Sequence, residues 1–292
     1  MKNSLADFVP SFIPSPPINS FQIGPLTIRI YALCILAGVC LAAFLLLRLV
    51  KRFSPALLDF ETLLEMLCWV LPISIIGARL FHCITVPDTY FSSPAALINI
   101  LKIWEGGLGI MGGVAFGVIT AFVFCRKKDI EFVSLLDLVS ACLLVAQAVG
   151  RFGNYFNREL YGFPTTLPWG LQVDSSGVAY HPTFLYEALW NLLGAFLIYK
   201  LIKSYYSSSK STLIPGSIFN IYIIWYTFGR IFIELVRIDY SYQFFSFWRV
   251  NSFIAFVICI IAAAVFIIRM MLRKNSRTVR RFLRYKKSKT VY

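Results

Sequence analysis

Long uncharged runs alternate with short clusters of Lys and Arg along the 292 residues of this chain. Ile30 to Leu47 carries no charge and is bounded by Arg29 and Arg48. Thr62 to Ile84 is apolar but interrupted by Glu65 and Arg79, and Gly106 to Cys125 is uncharged. Phe132 to Val149 contains only Asp137, and Thr183 to Tyr199 only Glu187. Leu213 to Gly229 is uncharged and continues through Arg230 and Glu234; Val250 to Ile268 is uncharged again. A helix needs about 20 apolar residues to cross the hydrocarbon of a bilayer. The pattern therefore predicts seven spans and an all-α, polytopic membrane bundle.

The basic clusters set an orientation. Arg48, Lys51 and Arg52 follow the first run, Arg126, Lys127 and Lys128 the third, and Lys200, Lys203 and Lys210 the fifth. After the seventh comes an acid-free tail running from Arg273 and Lys274 past Lys289. Cytoplasmic loops carry the excess of Lys and Arg, so the N-terminus is expected outside and the C-terminus in the cytoplasm. An odd span count agrees. The expected organisation is one integral membrane domain over residues 1–272 and a basic cytoplasmic tail over 273–292. Residues 1–20, with Asp7, Pro10, Pro14, Pro16 and Pro17, read as an irregular leader and not as a cleavable signal. Ser204 to Ser211 reads as a polar cytoplasmic loop, and no internal repeat is visible.

Composition points the same way. Hydrophobic residues make up 58% and charged residues 14%, against about a quarter charged in a soluble domain. A net charge of +14 alone would suit nucleic acid. Here the charge flanks apolar runs and fills the tail, as in membrane anchoring, so no nucleic-acid partner is expected. Nearly all seven cysteines lie inside apolar runs, and none forms a CxxC. They read as small hydrophobes, with no disulfide framework, metal site or cofactor expected.

Against that background the stretch GRFGNYFNRELYG, Gly150 to Gly162, stands out. It ends the fourth run and holds Arg151, Asn154, Asn157, Arg158 and Glu159. Charges at membrane depth are costly and point to function by default. Arg151, Asn154 and Arg158 share a face if the helix continues. Tyr226, Arg230, Glu234 and Arg237, spaced by four, four and three, share another, with Arg230 and Glu234 set to pair. Arginines from two separate segments make a fork for a phosphate or carboxylate. The plain alternatives are a salt bridge that only fixes helix packing and, for Arg158, snorkelling to the interface. His181 opens HPTFLYE, where Pro182 suits a first helical turn. It is a base, a headgroup contact or a structural residue. Gly107, Gly109 and Gly112 fit G-x-G-x-x-G, but no strand precedes them. Gly109, Gly113 and Gly117 read instead as a close helix-packing face.

GRFGNYFNRELYG closely resembles the signature of the bacterial prolipoprotein diacylglyceryl transferases, roughly G-R-x-G-N-F-x-N-x-E-x-x-G. IGPLTIRIYAL resembles the family's N-terminal segment and puts Tyr31 on its functional tyrosine. IIGARL around Arg79, IWEGGLGIMGG, HPTFLYE and YTFGRIFIELVR, with Arg230 on a functional arginine, resemble further family segments in the same order. The resemblance implies transfer of the diacylglyceryl group of phosphatidylglycerol to the lipobox cysteine in the signal peptide of a preprolipoprotein. A thioether forms and glycerol phosphate leaves, at the outer face of the bacterial plasma membrane. The implied catalytic residues are Arg151, Arg230 and Tyr31. The implied substrate contacts are Arg151, Asn154, Glu159, Gly162, Tyr226, Glu234 and His181, with Glu159 and Glu234 holding the arginines. The implied partners are phosphatidylglycerol, the preprolipoprotein and membrane lipid.

The sequence departs from the family at Met111, where a histidine proposed as a base often stands, and at Arg249, often Gln. His181 and Glu159 are the alternative bases. A transporter or channel would also bury Arg/Glu pairs, but repeated symmetric broken helices are not visible. A non-catalytic anionic-lipid binder would explain the arginines but not six ordered motifs.

Overall fold

The computed structural model describes residues 13–24, 26–174, 177–208, 213–239, 243–244 and 248–272. Residues 1–12 of the expected leader, residues 209–212 of the expected loop and the basic tail at 273–292 lie outside the described residues. The helices are α1 (Ile30–Phe53), α2 (Phe60–Thr85), α3 (Pro87–Phe91), α4 (Ile110–Lys127), α5 (Phe132–Asn157), α6 (Thr183–Ser207), α7 (Ser217–Val236) and α8 (Val250–Met271). All but α3 are long and apolar enough to cross a membrane, so the fold is a polytopic helical bundle. The least hydropathic of the seven are α6 and α7, which carry Glu187, Arg230 and Glu234. A short antiparallel hairpin, Ser20–Ile23 with Leu26–Arg29, precedes α1, and two more lie between helices: Leu171–Gln172 with Ala179–Tyr180, and Gln243–Phe244 with Trp248–Arg249. The chain divides into two compact units, residues 49–135 and residues 1–48 with 136–292.

In the unit of residues 49–135, α2 runs unbroken past Glu65 and Arg79. Glu65 pairs with Lys128 at 2.7 Å, with both side chains nearly half exposed, which contributes only about 0–1 kcal/mol. Arg79 is buried. Its guanidinium donates to the carbonyls of Ile100 at 2.9 Å, Gly106 at 2.6 Å, Gly107 at 2.9 Å, Lys102 at 3.2 Å, and Asn99. The Tyr90 ring lies 4.9 Å from Cζ. This arrangement explains why the third span, predicted to start at Gly106, becomes helical only at Ile110. Gly106 and Gly107 take φ of 97° and 75° and turn their carbonyls onto Arg79, a conformation glycine adopts without a Cβ penalty. Beyond the turn, α4 lies against α2. A Cβ on Gly112 would collide with the carbonyl of Gly77, and one on Gly117 would sit 2.5 Å from Ser74 Oγ. The small-residue spacing thus brings two backbones together. Met111 is the second residue of α4 and is exposed.

In the other unit, the polar ends of the spans are helical. α5 continues past Val149 to Asn157, and α7 past Gly229 to Val236. α6 runs to Ser207, so Ser204–Ser207 is helix and not the loop the serines suggest. Asp137, the lone acid of α5, is buried. It accepts the backbone N–H groups of Gly216 at 2.6 Å and Phe219 at 2.9 Å. It therefore satisfies orphan donors at the N-terminus of α7.

The α6–α7 contact is fixed by a tryptophan pair. Trp190 and Trp225 stack at 4.1 Å with planes 12° apart. Each Nε1 donates to the other's carbonyl, at 3.1 and 3.2 Å. Gly229 makes room: a Cβ there would land on the Trp190 indole.

Candidate active site

Three helices of the unit of residues 1–48 and 136–292 bring charge together. α5 supplies Arg151, α6 supplies Glu187, and α7 supplies Arg230 and Glu234. Glu187 bridges the two arginines, with its side chain only 6% exposed. Arg151 Nη2 lies 2.5 Å from Oε1, and Arg230 Nη1 lies 3.2 Å from both carboxylate oxygens. The tryptophan pair sets the α6–α7 side of this meeting: Trp190 is three residues beyond Glu187, and Gly229 adjoins Arg230. One turn on, Arg230 Nη2 pairs with Glu234 Oε2 at 2.9 Å, as the spacing of four predicts.

Glu234 is fully buried and serves more than one arginine. Arg237 Nη1 is 3.0 Å from Oε2, and Arg249 Nε is 3.2 Å from Oε1, where Asn251 Nδ2 also donates at 3.3 Å. Beyond the helix, Asp239 pairs with Arg237 at 2.7 Å and Arg249 at 3.1 Å. Burial works to raise the Asp239 pKa. The Arg237 hydrogen bond and the charges of Arg237 and Arg249 outweigh it and hold the carboxyl below its ordinary value. Four guanidinium groups thus share three carboxylates, and one positive charge in the paired set is uncompensated. Arg151 and Arg230 are about one-fifth exposed and keep N–H donors for an anion.

Other sequence candidates gather around this set unequally. Arg151 Nη1 donates to Asn154 Oδ1 at 3.2 Å, and Asn154 Nδ2 donates to Glu159 Oε1 at 2.8 Å. Asn157 Nδ2 also reaches Glu159, at 3.3 Å. The expectation that Glu159 holds an arginine is therefore corrected: it orients Asn154, which in turn meets Arg151. Arg158 leaves the expected shared face because α5 ends at Asn157 and Arg158 takes φ 53°. It donates instead to the Pro16 carbonyl at 2.6 Å. The Tyr31 ring lies against the backbone of Gly153, and Arg151 and Glu159 are its charged neighbours. Tyr226, one turn before Arg230, stacks with Tyr222 at 6.3 Å.

Gly162 sits where the loop after α5 passes the end of α7. A Cβ there would lie 2.8 Å from both His181 Cβ and the Val236 carbonyl, and the Gly162 N–H donates to the His181 carbonyl at 2.9 Å. His181 stands outside the ion network. Its Nδ1 is 2.9 Å from Tyr186 Oη, which accepts from Trp169 Nε1 at 3.0 Å.

Sequence reasoning passed over Glu187 as a site residue, and with it Asp239, Arg249 and Asn251; Arg237, placed on the Arg230 face by its spacing, joins the set through Glu234. The available signal for Glu187 was its isolation: it is the sole charge in its apolar run.

The family model described as prolipoprotein diacylglyceryl transferase matches residues 18–268. A Bifidobacterium adolescentis protein named phosphatidylglycerol–prolipoprotein diacylglyceryl transferase is 41% identical over 292 residues, covering 94% of this chain and 84% of that protein. A Cutibacterium acnes protein of the same name is 40% identical over 265 residues, covering 88% and 86%. A Streptomyces coelicolor protein, given that name with the number 2, is 37% identical over 269 residues, covering 87% and 81%. With a family match from before α1 into α8 and this identity over most of its length, the chain belongs to the prolipoprotein diacylglyceryl transferase family.

Proposed function

We propose that this protein transfers the diacylglyceryl group of phosphatidylglycerol to the thiol of a preprolipoprotein's lipobox cysteine. The names of its relatives supply donor and acceptor; the observation that carries the chemistry is the Arg151–Glu187–Arg230 bridge. The cysteine sulfur, as thiolate, bonds to the glycerol carbon that bears the phosphate ester. The C–O bond breaks, its electron pair leaves on the phosphate oxygen, and glycerol phosphate is released. Arg151 and Arg230 stabilise that charge in a partly dry site, where such contacts are strong. Glu187 sets their spacing, and Glu234 anchors Arg230 from behind. Asn154, held by Glu159, donates to the headgroup together with Tyr31 and Tyr226, while Gly162 and His181 shape the loop side.

A free thiol has a pKa of about 8.5, and a positive field lowers it. Transfer is therefore compatible with Met111, which cannot accept a proton. Residues 1–272 act as the membrane domain, in the bacterial plasma membrane, with the N-terminus outside, the basic tail cytoplasmic and the site at the outer face. The Lys/Arg-rich connections support that orientation.

The test is incubation of the purified protein with labelled phosphatidylglycerol and a lipobox peptide. Thioether product with one glycerol phosphate released per transfer supports the reading. Binding without product from folded protein overturns it.

A further inference from the structure

We infer that Asn191 and Gln147 form a second polar layer, one helical turn deeper than the arginines, that holds an ester carbonyl of the donor lipid. Asn191 is 0% exposed, and neither its Oδ1 nor its Nδ2 has a hydrogen-bond partner among the described residues. An amide unpaired in a hydrocarbon environment is costly. Asn191 follows Glu187 by four residues on the buried face of α6, together with Ala188 and Ala195. On α5, Gln147 precedes Arg151 by four. On α7, Tyr226 precedes Arg230 by four. Arg151 and Arg230 lie toward the C-terminal ends of α5 and α7, and Glu187 lies toward the N-terminal end of α6. All three offsets therefore run the same way, into the bundle, by about 5.4 Å.

Gln147 is unsatisfied in a telling manner. Its Nε2 lies 2.8 Å from Tyr222 Oη, while its buried Oε1 has no partner among the described residues. Turned over, the amide accepts the Tyr222 hydroxyl proton and leaves Nε2 with hydrogens to give. Asn191 Nδ2 and Gln147 Nε2 then offer donors at one depth.

A glycerophospholipid is layered to match. Below its phosphate come the glycerol carbons and then two ester carbonyls, which accept hydrogen bonds and donate none. With the phosphate between Arg151 and Arg230, the carbonyls fall about one helical turn deeper. Gln147 and Tyr226 are both partly exposed and mark the side from which the lipid reaches Asn191. The inference rests on the transferase reading above and adds to it a requirement for the ester group itself.

The full-length protein is assayed in detergent micelles with diester phosphatidylglycerol and with its diether analogue, which lacks both carbonyl oxygens. For wild type, KM is expected to be about five- to tenfold higher for the diether lipid, the size of one lost neutral hydrogen bond. Asn191→Leu is expected to raise KM for the diester lipid to the diether value and abolish the preference. Its thermal midpoint should stay at or above wild type, because it removes an unpaired buried amide. Gln147→Leu should shift the ratio in the same direction. Equal KM values for the two lipids with wild type overturn the inference even where a variant fails to fold. So does an Asn191→Leu protein that keeps the wild-type preference, the outcome if a buried water satisfies the amide. If wild type transfers from neither lipid, the transferase reading fails and this inference falls with it.

Discussion

Replacing Glu187 by Gln removes one negative charge from between two arginines while keeping the shape of the side chain. At separations of 2.5 and 3.2 Å, an effective dielectric of 20 gives attractions of about 7 and about 5 kcal/mol. Desolvation of the three ions offsets most of this, and breaking a buried pair from one side costs about 3–5 kcal/mol net. The amide retains a hydrogen bond contributing about 1 kcal/mol, so the expected loss is about 2–4 kcal/mol. The two arginines do not share it equally. Arg230 keeps Glu234 at 2.9 Å, whereas Arg151 keeps, among the described residues, only Asn154 at 3.2 Å and is the one that moves. If about 3 kcal/mol of this positioning is lost in the transition state, kcat/KM falls about a hundredfold, at 1.36 kcal/mol per decade. The assay is kcat/KM for phosphatidylglycerol with a lipobox peptide, run beside thermal unfolding in detergent. A Glu187→Gln protein within threefold of wild type, with an unchanged midpoint, refutes the reasoning.

Gly229→Ala drives a methyl group into the Trp190 indole; overpacking of this kind costs about 1–3 kcal/mol, and both unfolding temperature and transfer rate should drop. Arg158→Ala should leave kcat within about threefold of wild type, because Arg158 ties down Pro16 and stands apart from the ion network; a loss as large as that of Arg151→Ala contradicts the geometry. Asp239 has a depressed folded-state pKa, so its stabilising contribution is complete above the unfolded value of about 3.9 and is lost as pH falls through the lower folded value. Unfolding curves of Asp239→Asn should therefore lie below wild type near neutral pH and converge on it under acid.

The seven spans were legible because the chain writes them as uncharged runs between basic clusters, and lipid admits few alternatives to helix. Their ends were less so. α7 passes through Arg230 and Glu234, as their helical spacing suggested, and each is neutralised by a partner on another segment, whereas Ser204–Ser207, which looked like loop, is the end of α6. The Arg230–Glu234 pair could be read from a spacing of four, which is local helix geometry. The Glu187 bridge could not, because it exists only when α5 packs against α6 and α7, and the tryptophan pair that fixes the α6–α7 register is itself a contact between helices. Arg158 misled for the opposite reason: helical spacing placed it beside Arg151, and a single residue at positive φ turned it away. Glu159 was expected to hold an arginine directly, but the end of α5 puts Asn154 between it and Arg151.

The most direct test is the rate of thioether formation by Arg151→Ala beside wild type, both shown to be folded and membrane-inserted, at saturating peptide and lipid. If Arg151 stabilises the departing phosphate, kcat falls by about 100-fold or more while lipid still binds. A near-normal kcat would mean that the bridged arginines only pack the helices and that the charge leaving with the phosphate is met elsewhere.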